Sequence, residues 1–67
     1  MDKLELKSIL ELHEKWLHGD LDGKRADLSK ANLSGVDLTG SDLSGAILFR
    51  VGLSGATLSG VDMTEMQ

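Results

Sequence analysis

The chain has 67 residues, a formal net charge of −4 at pH 7 and no cysteine. A domain of this size buries only about 60% of the surface that its unfolded chain exposes, so its stability is marginal unless the ends of its core are closed. The lack of cysteine excludes disulfides and thiolate metal sites, and the acidic balance disfavours direct nucleic-acid binding, which usually needs a basic face.

The first element in chain order is an amphipathic helix within residues 1–19. No Gly or Pro interrupts residues 3–18, and apolar or semi-apolar side chains recur at helical spacing: Leu6, Ile9, Leu10, His13, Trp16 and Leu17. Asp2 is placed to cap the first turn, and Gly19 to end the last one. Charged residues stand among the first leucines, so we predict neither a signal peptide nor a membrane span and expect a cytoplasmic protein without membrane contact.

The apolar stripe of this helix has two interpretations. We favour a cap over the segment that follows, because the first strands there would otherwise present bare backbone edges; the alternative is a docking helix for a partner. Trp16, the sole tryptophan, is expected to anchor the helix to that segment. His13 and His18 lie about 140° apart around the helix and cannot share a metal ion, so no metal or other cofactor is predicted.

Residues 20–25 form a polar connector, after which residues 26–65 repeat every five positions without an insertion. The eight units read ADLSK, ANLSG, VDLTG, SDLSG, AILFR, VGLSG, ATLSG and VDMTE, and residues 66–67 form a tail. The centre of every unit is apolar: Leu28, Leu33, Leu38, Leu43, Leu48, Leu53, Leu58 and Met63. Two places before each centre stands a small or β-branched residue: Ala26, Ala31, Val36, Ser41, Ala46, Val51, Ala56 and Val61.

A period of five matches neither the 3.6-residue turn of a helix nor the alternation of a flat strand. If each unit is a short extended run followed by a corner, the central residue and the residue two before it both point inward. Glycine closes five of the units and accepts the positive φ of a tight turn. Four such sides make a lap of about twenty residues, and the next lap stacks on it at roughly 4.8 Å through parallel ladder hydrogen bonds.

The A(D/N)LSG pattern over residues 26–65 resembles the pentapeptide-repeat proteins. The resemblance implies a mainly β fold, a right-handed quadrilateral parallel β-helix, here of about two coils, with an N-terminal amphipathic capping α-helix. It also implies that the central residues and those two places earlier fill the interior. Residues twenty apart then lie one above the other, with Leu28 beneath Leu48 and Leu43 beneath Met63.

The second lap is expected to be the open end of this coil. No capping pattern follows it, and an uncovered parallel edge beside two methionines, Met63 and Met66, invites a second copy of the chain. We therefore predict a homodimer with two-fold symmetry, in which the two C-terminal laps stack into one longer coil.

The fifth unit departs from the outward pattern of the repeat. It places Ile47, Phe49 and Arg50 where other units carry polar residues or glycine, and Lys30 is expected at the same corner one lap below. Lys24 or Arg25 of the connector is a candidate neighbour of this corner. An aromatic residue beside an arginine, inside a polar rim, is typical of binding sites. Two interpretations stay open: a contact with a protein partner or a second copy, or a face onto which the helix or the connector folds back.

Acidic side chains are expected along another outward surface, the acidic face: Asp27, Asp37, Asp42, Asp62 and Glu65. One interpretation is structural, because Asp or Asn before the central residue can bond to nearby backbone and shape each side. The functional interpretation rests on the resemblance, since some pentapeptide-repeat proteins are thought to present an acidic rod shaped like duplex DNA to enzymes that act on DNA. Two laps rise only about 10 Å, so such mimicry would need the dimer.

The sequence predicts no catalytic arrangement, phosphate-binding loop or cleft, so we expect neither an enzyme nor a small-molecule substrate. The preferred hypothesis is a non-catalytic protein-binding module: a small homodimeric inhibitor, phage or bacterial, of a nucleic-acid-handling protein, with the acidic face imitating DNA. The alternative is a structural assembly element, or a capping fragment of a longer repeat protein, that stacks end to end.

Overall fold

The computed structural model describes residues 1–63, in which helix α1 spans Lys3–Leu17. The carboxylate of Asp2 caps the helix by accepting a hydrogen bond from the amide of Leu4 at 3.0 Å. Gly19 follows the last turn with φ of +78°, a left-handed conformation that glycine adopts without steric cost. Within the described residues, no helix has the length and apolarity needed to cross a membrane.

A tight turn ends each side of the coil at the same two positions of the repeat. The carbonyl of the central leucine accepts a hydrogen bond from the amide three residues later, as between Leu28 and Ala31 at 3.0 Å. The residue before that amide has a positive φ, for example +73° at Gly35, whereas the serine or threonine preceding it does not. These angles define a type II turn, and they explain why glycine ends most units.

Four turns return the chain to a position directly above its start. Parallel β-bridges join residues twenty apart: Asp27 with Ile47, Asn32 with Gly52, Asp37 with Thr57, and Asp42 with Asp62. At the first bridge the amide of Ile47 donates to the carbonyl of Ala26 at 2.9 Å, and the amide of Leu28 donates to the carbonyl of Ile47 at 2.8 Å. The predicted twenty-residue register is therefore confirmed.

Each side of the coil is shorter than a regular strand. Because each five-residue unit gives up residues to its corner, one bridge forms per side, and residues 1–63 contain single-residue bridges rather than continuous strands. The arrangement is a four-sided coil of two laps, residues 26–45 and residues 46–63, and it agrees in outline with the β-helix that the repeat implies. The right-handed sense of the coil stays a prediction.

Most of the core lies inside the first lap and is closed from one end by α1, and Ala46 and Leu48 of the second lap also belong to it. The four central leucines of this lap are at most 2% exposed: Leu28, Leu33, Leu38 and Leu43. Leu6 of α1 belongs to the same cluster, and Ile9 and Leu10 pack against it. Central residues of the second lap, such as Leu53 and Leu58, are only half-buried. The helix is thus a cap, as the preferred interpretation of its apolar stripe predicts.

The connector between α1 and the coil packs against the backbone of the helix. The amide of Lys24 donates to the carbonyl of Leu12 at 2.9 Å. Gly23 lies so close to α1 that a Cβ atom there would stand 2.2 Å from the backbone nitrogen of Trp16. Leu21, by contrast, is fully exposed. The path of the connector therefore depends on the missing side chain of Gly23.

Candidate functional site

The fifth unit and Lys30 beneath it form a surface that we call the basic corner: Lys30, Ile47, Phe49 and Arg50. Lys30, Phe49 and Arg50 are exposed, whereas Ile47 is half-buried at its bridge with Asp27. Phe49 is 58% exposed, and the guanidinium carbon of Arg50 lies 5.2 Å from the centroid of its ring. The amide of Lys30 donates to the carbonyl of Phe49 at 2.9 Å, which fixes Lys30 directly beneath the pair. Since neither α1 nor the connector covers Phe49, the interpretation that this face is buried internally does not hold for the ring.

Both cations of the basic corner have a backbone conformation that glycine has elsewhere. Lys30 has φ of +61° and Arg50 of +58°, whereas the corresponding glycines of the other turns, such as Gly35 and Gly55, have φ of +73° and +71°. A side chain in this region costs about 1–2 kcal/mol because its Cβ approaches the following carbonyl oxygen. The strain falls on two stacked positions that differ from the repeat in the same way, which marks the corner as a functional candidate.

Replacing either cation by glycine is expected to stabilise the fold. Lys30→Gly and Arg50→Gly should each raise the free energy of unfolding by about 0.5–1 kcal/mol, because relief of the left-handed strain exceeds the extra flexibility of glycine in the unfolded chain. Urea unfolding followed by circular dichroism measures the change. Ser34→Gly, one position earlier in a neighbouring turn, is the control and should destabilise. Loss of stability in both cation variants would mean that their side chains contribute more packing than the strain costs.

Arg25 does not join the basic corner, although its sequence position made it a candidate neighbour. Its Nε donates to the carbonyl of Gly45, and its guanidinium carbon lies 5.7 Å from the ring centroid of Trp16. Gly45 ends the fourth unit, one full side of the coil away from Lys30. Arg25 thus links α1 to the coil. Lys30 and Arg50 are the cations of the basic corner within the described residues.

The residues of the predicted acidic face lie on different sides of the coil: Asp27 on the first, Asp37 on the third, and Asp42 with Asp62 on the fourth. Three of them have a structural role. The side chains of Asp27, Asp37 and Asp42 each accept a hydrogen bond from the backbone amide two residues later, at 3.0, 2.9 and 3.0 Å. The amide oxygen of Asn32 does the same for Ser34 at 3.0 Å. Such bonds hold each side in the shape that leads into its turn. The structural interpretation of these aspartates is therefore supported directly, and Asp42 lies beneath Asp62 at the fourth bridge.

These bonds lower the pKa of two carboxyl groups in the same way. Hydrogen bonds from the hydroxyl and then the amide of Ser29 hold the pKa of Asp27 below its ordinary value, with smaller help from Arg25 and Lys24. The hydroxyl and amide of Thr39 hold the pKa of Asp37 below its ordinary value. Slight burial opposes both shifts. Hydrogen bonding favours the charged form, so folding favours ionised carboxylates at these positions.

Stability is expected to fall in acid because of these two groups. Their folded-state pKa lies below the unfolded value, so the stabilisation is complete above about pH 4 and is lost as pH falls through the folded pKa. Urea midpoints between about pH 5 and about pH 2 measure the slope. The double variant Asp27→Asn/Asp37→Asn should have a shallower slope than the unmodified chain. An unchanged slope would assign the acid sensitivity to other groups.

Sequence reasoning missed the role of His13, which closes the N-terminal end of the coil. Its side chain is fully buried at 0% exposure. Nδ1 accepts a hydrogen bond from the amide of Ala26 at 3.0 Å, so the neutral tautomer carries its proton on Nε2, which donates to the carbonyl of Ser44 at 2.9 Å. The sequence does indicate that His13 is buried, because it lies on the apolar stripe between Leu10 and Trp16. Its hydrogen-bond partners cannot be predicted from that position.

Trp16 anchors the helix to the coil, as predicted, but at the surface. Its ring stacks on that of His13 at 5.4 Å between centroids, and a Cβ on Gly45 would lie 3.2 Å from its edge. The residue remains 39% exposed. Trp16 therefore covers His13 from solvent rather than filling the core.

One of the remaining predicted positions, Met63, lies in the second lap of the coil. Met63 is half-buried, whereas Glu65 and Met66 lie outside the described residues. Within residues 1–63 no group of three or more His, Cys, Asp or Glu side chains is placed to hold a metal ion.

A coil whose interior is filled by leucine, and whose turns and bridges recur every five residues, defines a solenoid repeat protein. More particularly, the chain belongs to the pentapeptide repeat family, whose model matches residues 26–64 in eight copies. The assignment made from the A(D/N)LSG pattern is confirmed, and it makes the chain a structural or protein-interaction module. Neither a curated protein nor a solved structure matches the chain.

Proposed function

We propose that this protein is a non-catalytic binding module whose partner contact is the basic corner. The observation that carries the proposal is the exposure of Phe49 beneath the guanidinium of Arg50, since a stacked aromatic–arginine pair in a polar rim is the composition of an interface hot spot. The backbone strain at Lys30 and Arg50 adds support, because glycine would serve folding better at both positions.

The proposal extends to a homodimer formed by the second lap. Three central residues of this lap, Leu53, Leu58 and Met63, are half-buried, whereas their counterparts in the first lap are at most 2% exposed. The amides of Leu48, Leu53 and Leu58 make no hydrogen bond to another described residue, although the corresponding amides of the first lap are all paired. A second copy stacked end to end would bury the leucines and pair these amides.

The acidic face supports the finer hypothesis of an inhibitor that occupies a nucleic-acid-handling protein in place of DNA. Asp42 and Asp62 stack at one bridge, and the carboxyl groups of Asp27 and Asp37 are held ionised by their hydrogen bonds. A dimer would double the acidic stack that Asp42 and Asp62 begin on the fourth side. A phage or bacterial setting is part of the same proposal, and so is a cytoplasmic location.

Replacing Phe49 by serine tests the basic corner. Phe49→Ser should leave the free energy of unfolding within about 0.5 kcal/mol, because the ring is exposed, while binding to a captured partner weakens by about thirtyfold or more, as for a hot-spot residue. Ser54→Ala, at the equivalent outward position of the next unit, is the matched control and should change neither quantity. A pull-down from bacterial lysate, followed by titration of the captured partner, measures binding. Loss of folding in Phe49→Ser would instead mean that the ring stabilises the fold.

A structural assembly element that stacks end to end is the second candidate, favoured by the half-buried second lap. Ionic strength separates the two functions. A charge mimic should lose partner affinity steeply with added salt, and Asp42→Asn/Asp62→Asn should weaken it further, whereas apolar end-to-end stacking should change little. Light scattering at micromolar concentration tests the dimer that both functions use. A monomer at that concentration would contradict the proposed dimer. The binding role of the basic corner would then depend on the result for Phe49→Ser alone.

A further inference from the structure

A second surface, distinct from the basic corner, lies between α1 and the third side of the first lap. A groove of about 900 Å³ opens there. One wall is the helix, with Leu6 and Leu10 as its apolar residues, and the other is the edge of the coil around Val36, Asp37 and Leu38. We propose that this groove binds an extended peptide segment of a partner protein, which pairs with the edge as an additional parallel strand.

The backbone of the third side offers unpaired groups at the positions that a strand would use. In the coil, the second residue of a unit makes two hydrogen bonds to the lap below. The amide of Thr57, for example, donates to the carbonyl of Val36, and the carbonyl of Thr57 accepts from the amide of Leu38, both at 2.9 Å. The amide and the carbonyl of Asp37 hold the equivalent places on the first lap, and within the described residues neither makes a backbone hydrogen bond. The carbonyl of Thr39 is likewise unpaired among the described residues.

On each of the neighbouring sides, the chain itself satisfies one of the equivalent groups. The carbonyl of Asn32, which corresponds to that of Asp37, accepts from the amino group of Met1 at 3.4 Å. The carbonyl of Ser44, which corresponds to that of Thr39, accepts from Nε2 of His13 at 2.9 Å. Met1 and α1 therefore each pair one carbonyl on the sides that flank the third. Beside the groove, the three equivalent groups of the third side make no backbone hydrogen bond within the described residues. An open strand edge next to an apolar wall is the arrangement used for strand addition.

The size and charge of the groove specify the peptide. Its helical wall extends from Lys3 to Glu14, about 16 Å at 1.5 Å per residue, which equals about five residues of extended chain. Lys3 and Lys7 lie toward the start of this wall, and Glu11 and Glu14 toward its end. A parallel peptide runs in the same direction as residues 36–42, so an acidic first residue and a basic fifth residue complement the two ends. Its third residue faces the apolar wall.

The ladder also predicts which peptide amides matter. By the register of the two laps, the first peptide residue accepts from the amide of Asp37, the third donates to the carbonyl of Asp37, and the fifth donates to the carbonyl of Thr39. The amides of the second and fourth residues point away from the coil, because successive amides of an extended chain alternate in direction. Methylation of the third amide should therefore abolish a bond that methylation of the fourth leaves intact.

The test is a titration of the ¹⁵N-labelled full chain with the peptide acetyl-Glu-Thr-Val-Thr-Lys-amide at millimolar concentrations. We expect shifts of the Asp37 and Thr39 signals, and slower hydrogen exchange at the amide of Asp37. The amide of Asp27 has the equivalent place on the first side, outside the groove, and should not respond. Methylation of the third peptide amide should weaken binding about tenfold, the effect of one lost backbone hydrogen bond, whereas methylation of the fourth should not.

Protein variants test the charge order without touching the ladder. Glu11→Lys/Glu14→Lys should weaken the peptide and favour its charge-reversed form, acetyl-Lys-Thr-Val-Thr-Glu-amide, whereas Glu5→Lys on another face of α1 should not. Phe49→Ser should bind the peptide normally, which separates this surface from the basic corner. Equal binding of both methylated peptides, or an unperturbed Asp37 signal at saturating peptide, would overturn the proposal.

Discussion

Replacing His13 by alanine is expected to lower the free energy of unfolding by about 3 kcal/mol or more. The change removes two hydrogen bonds, to Ala26 and Ser44, and leaves a buried backbone amide and a carbonyl without partners. Each unsatisfied buried group costs about 1–3 kcal/mol, and the cavity left by the imidazole adds to this. In a chain of 67 residues such a loss is a large part of the total stability.

Two further variants separate the causes of this effect. His13→Phe fills the site without hydrogen-bonding groups and should still lose about 2 kcal/mol, because Ala26 and Ser44 remain unpaired. His18→Ala removes an exposed histidine five residues later and should change stability by less than about 0.5 kcal/mol. Urea unfolding monitored by circular dichroism measures all three. If His13→Phe is as stable as the unmodified chain, the imidazole acts through its volume alone.

Gly23→Ala is the second substitution for which we expect a large loss, about 3 kcal/mol. The added methyl group would stand 2.2 Å from the backbone nitrogen of Trp16 and 2.6 Å from the carbonyl carbon of Lys15. These are backbone atoms of α1, so the overlap cannot be relieved by rotating a side chain. Either the connector or the end of the helix must move, and overpacking of this kind costs about 1–3 kcal/mol, occasionally more. The cap would then lie less closely on the first lap.

Gly52→Ala provides the matched control for this steric argument. A Cβ at Gly52 meets its nearest atom at 3.7 Å, an ordinary contact, and its φ lies outside the left-handed region. We expect a change within about 0.5 kcal/mol, since alanine restricts the unfolded chain without strain in the folded one. Thermal unfolding of the two variants measures the difference. A loss in Gly52→Ala as large as that in Gly23→Ala would mean that the close approach is not the cause.

The coil could be predicted closely because its information is local and repeated. Within a typical unit, glycine favours the turn and leucine supplies the inward side chain. The Asp or Asn shapes the extended part of the unit by bonding to the amide two residues ahead. Residues twenty apart become neighbours once four turns close a lap, so the bridge between Asp27 and Ile47 follows from the period alone. The outward direction of Phe49 follows in the same way, from its place in the fifth unit, whereas its exposure was left open by the sequence and is seen only in the structure.

The junction between α1 and the coil could not be predicted, because it joins segments without a common period. Helical spacing places His13 on the apolar stripe but cannot say that its two ring nitrogens bond to Ala26 and Ser44. Nor does a lone glycine in a polar connector reveal that a helix backbone lies against it. Arg25 was a candidate for the basic corner and instead bonds to Gly45. These contacts depend on the angle at which the helix crosses the end of the coil.

By itself, then, the sequence determined the period, the inward and outward residues and the presence of a cap. Each of these depends on contacts between residues close in the chain, and the local pattern of side chains shows it directly. Only the tertiary structure decided how the cap is attached and what it leaves uncovered. The helix is a straight rod laid on a four-sided end, so it can satisfy the open backbone groups of some sides only. His13 and the amino group of Met1 reach Ser44 and Asn32, and the edge at Asp37 remains open beside the groove.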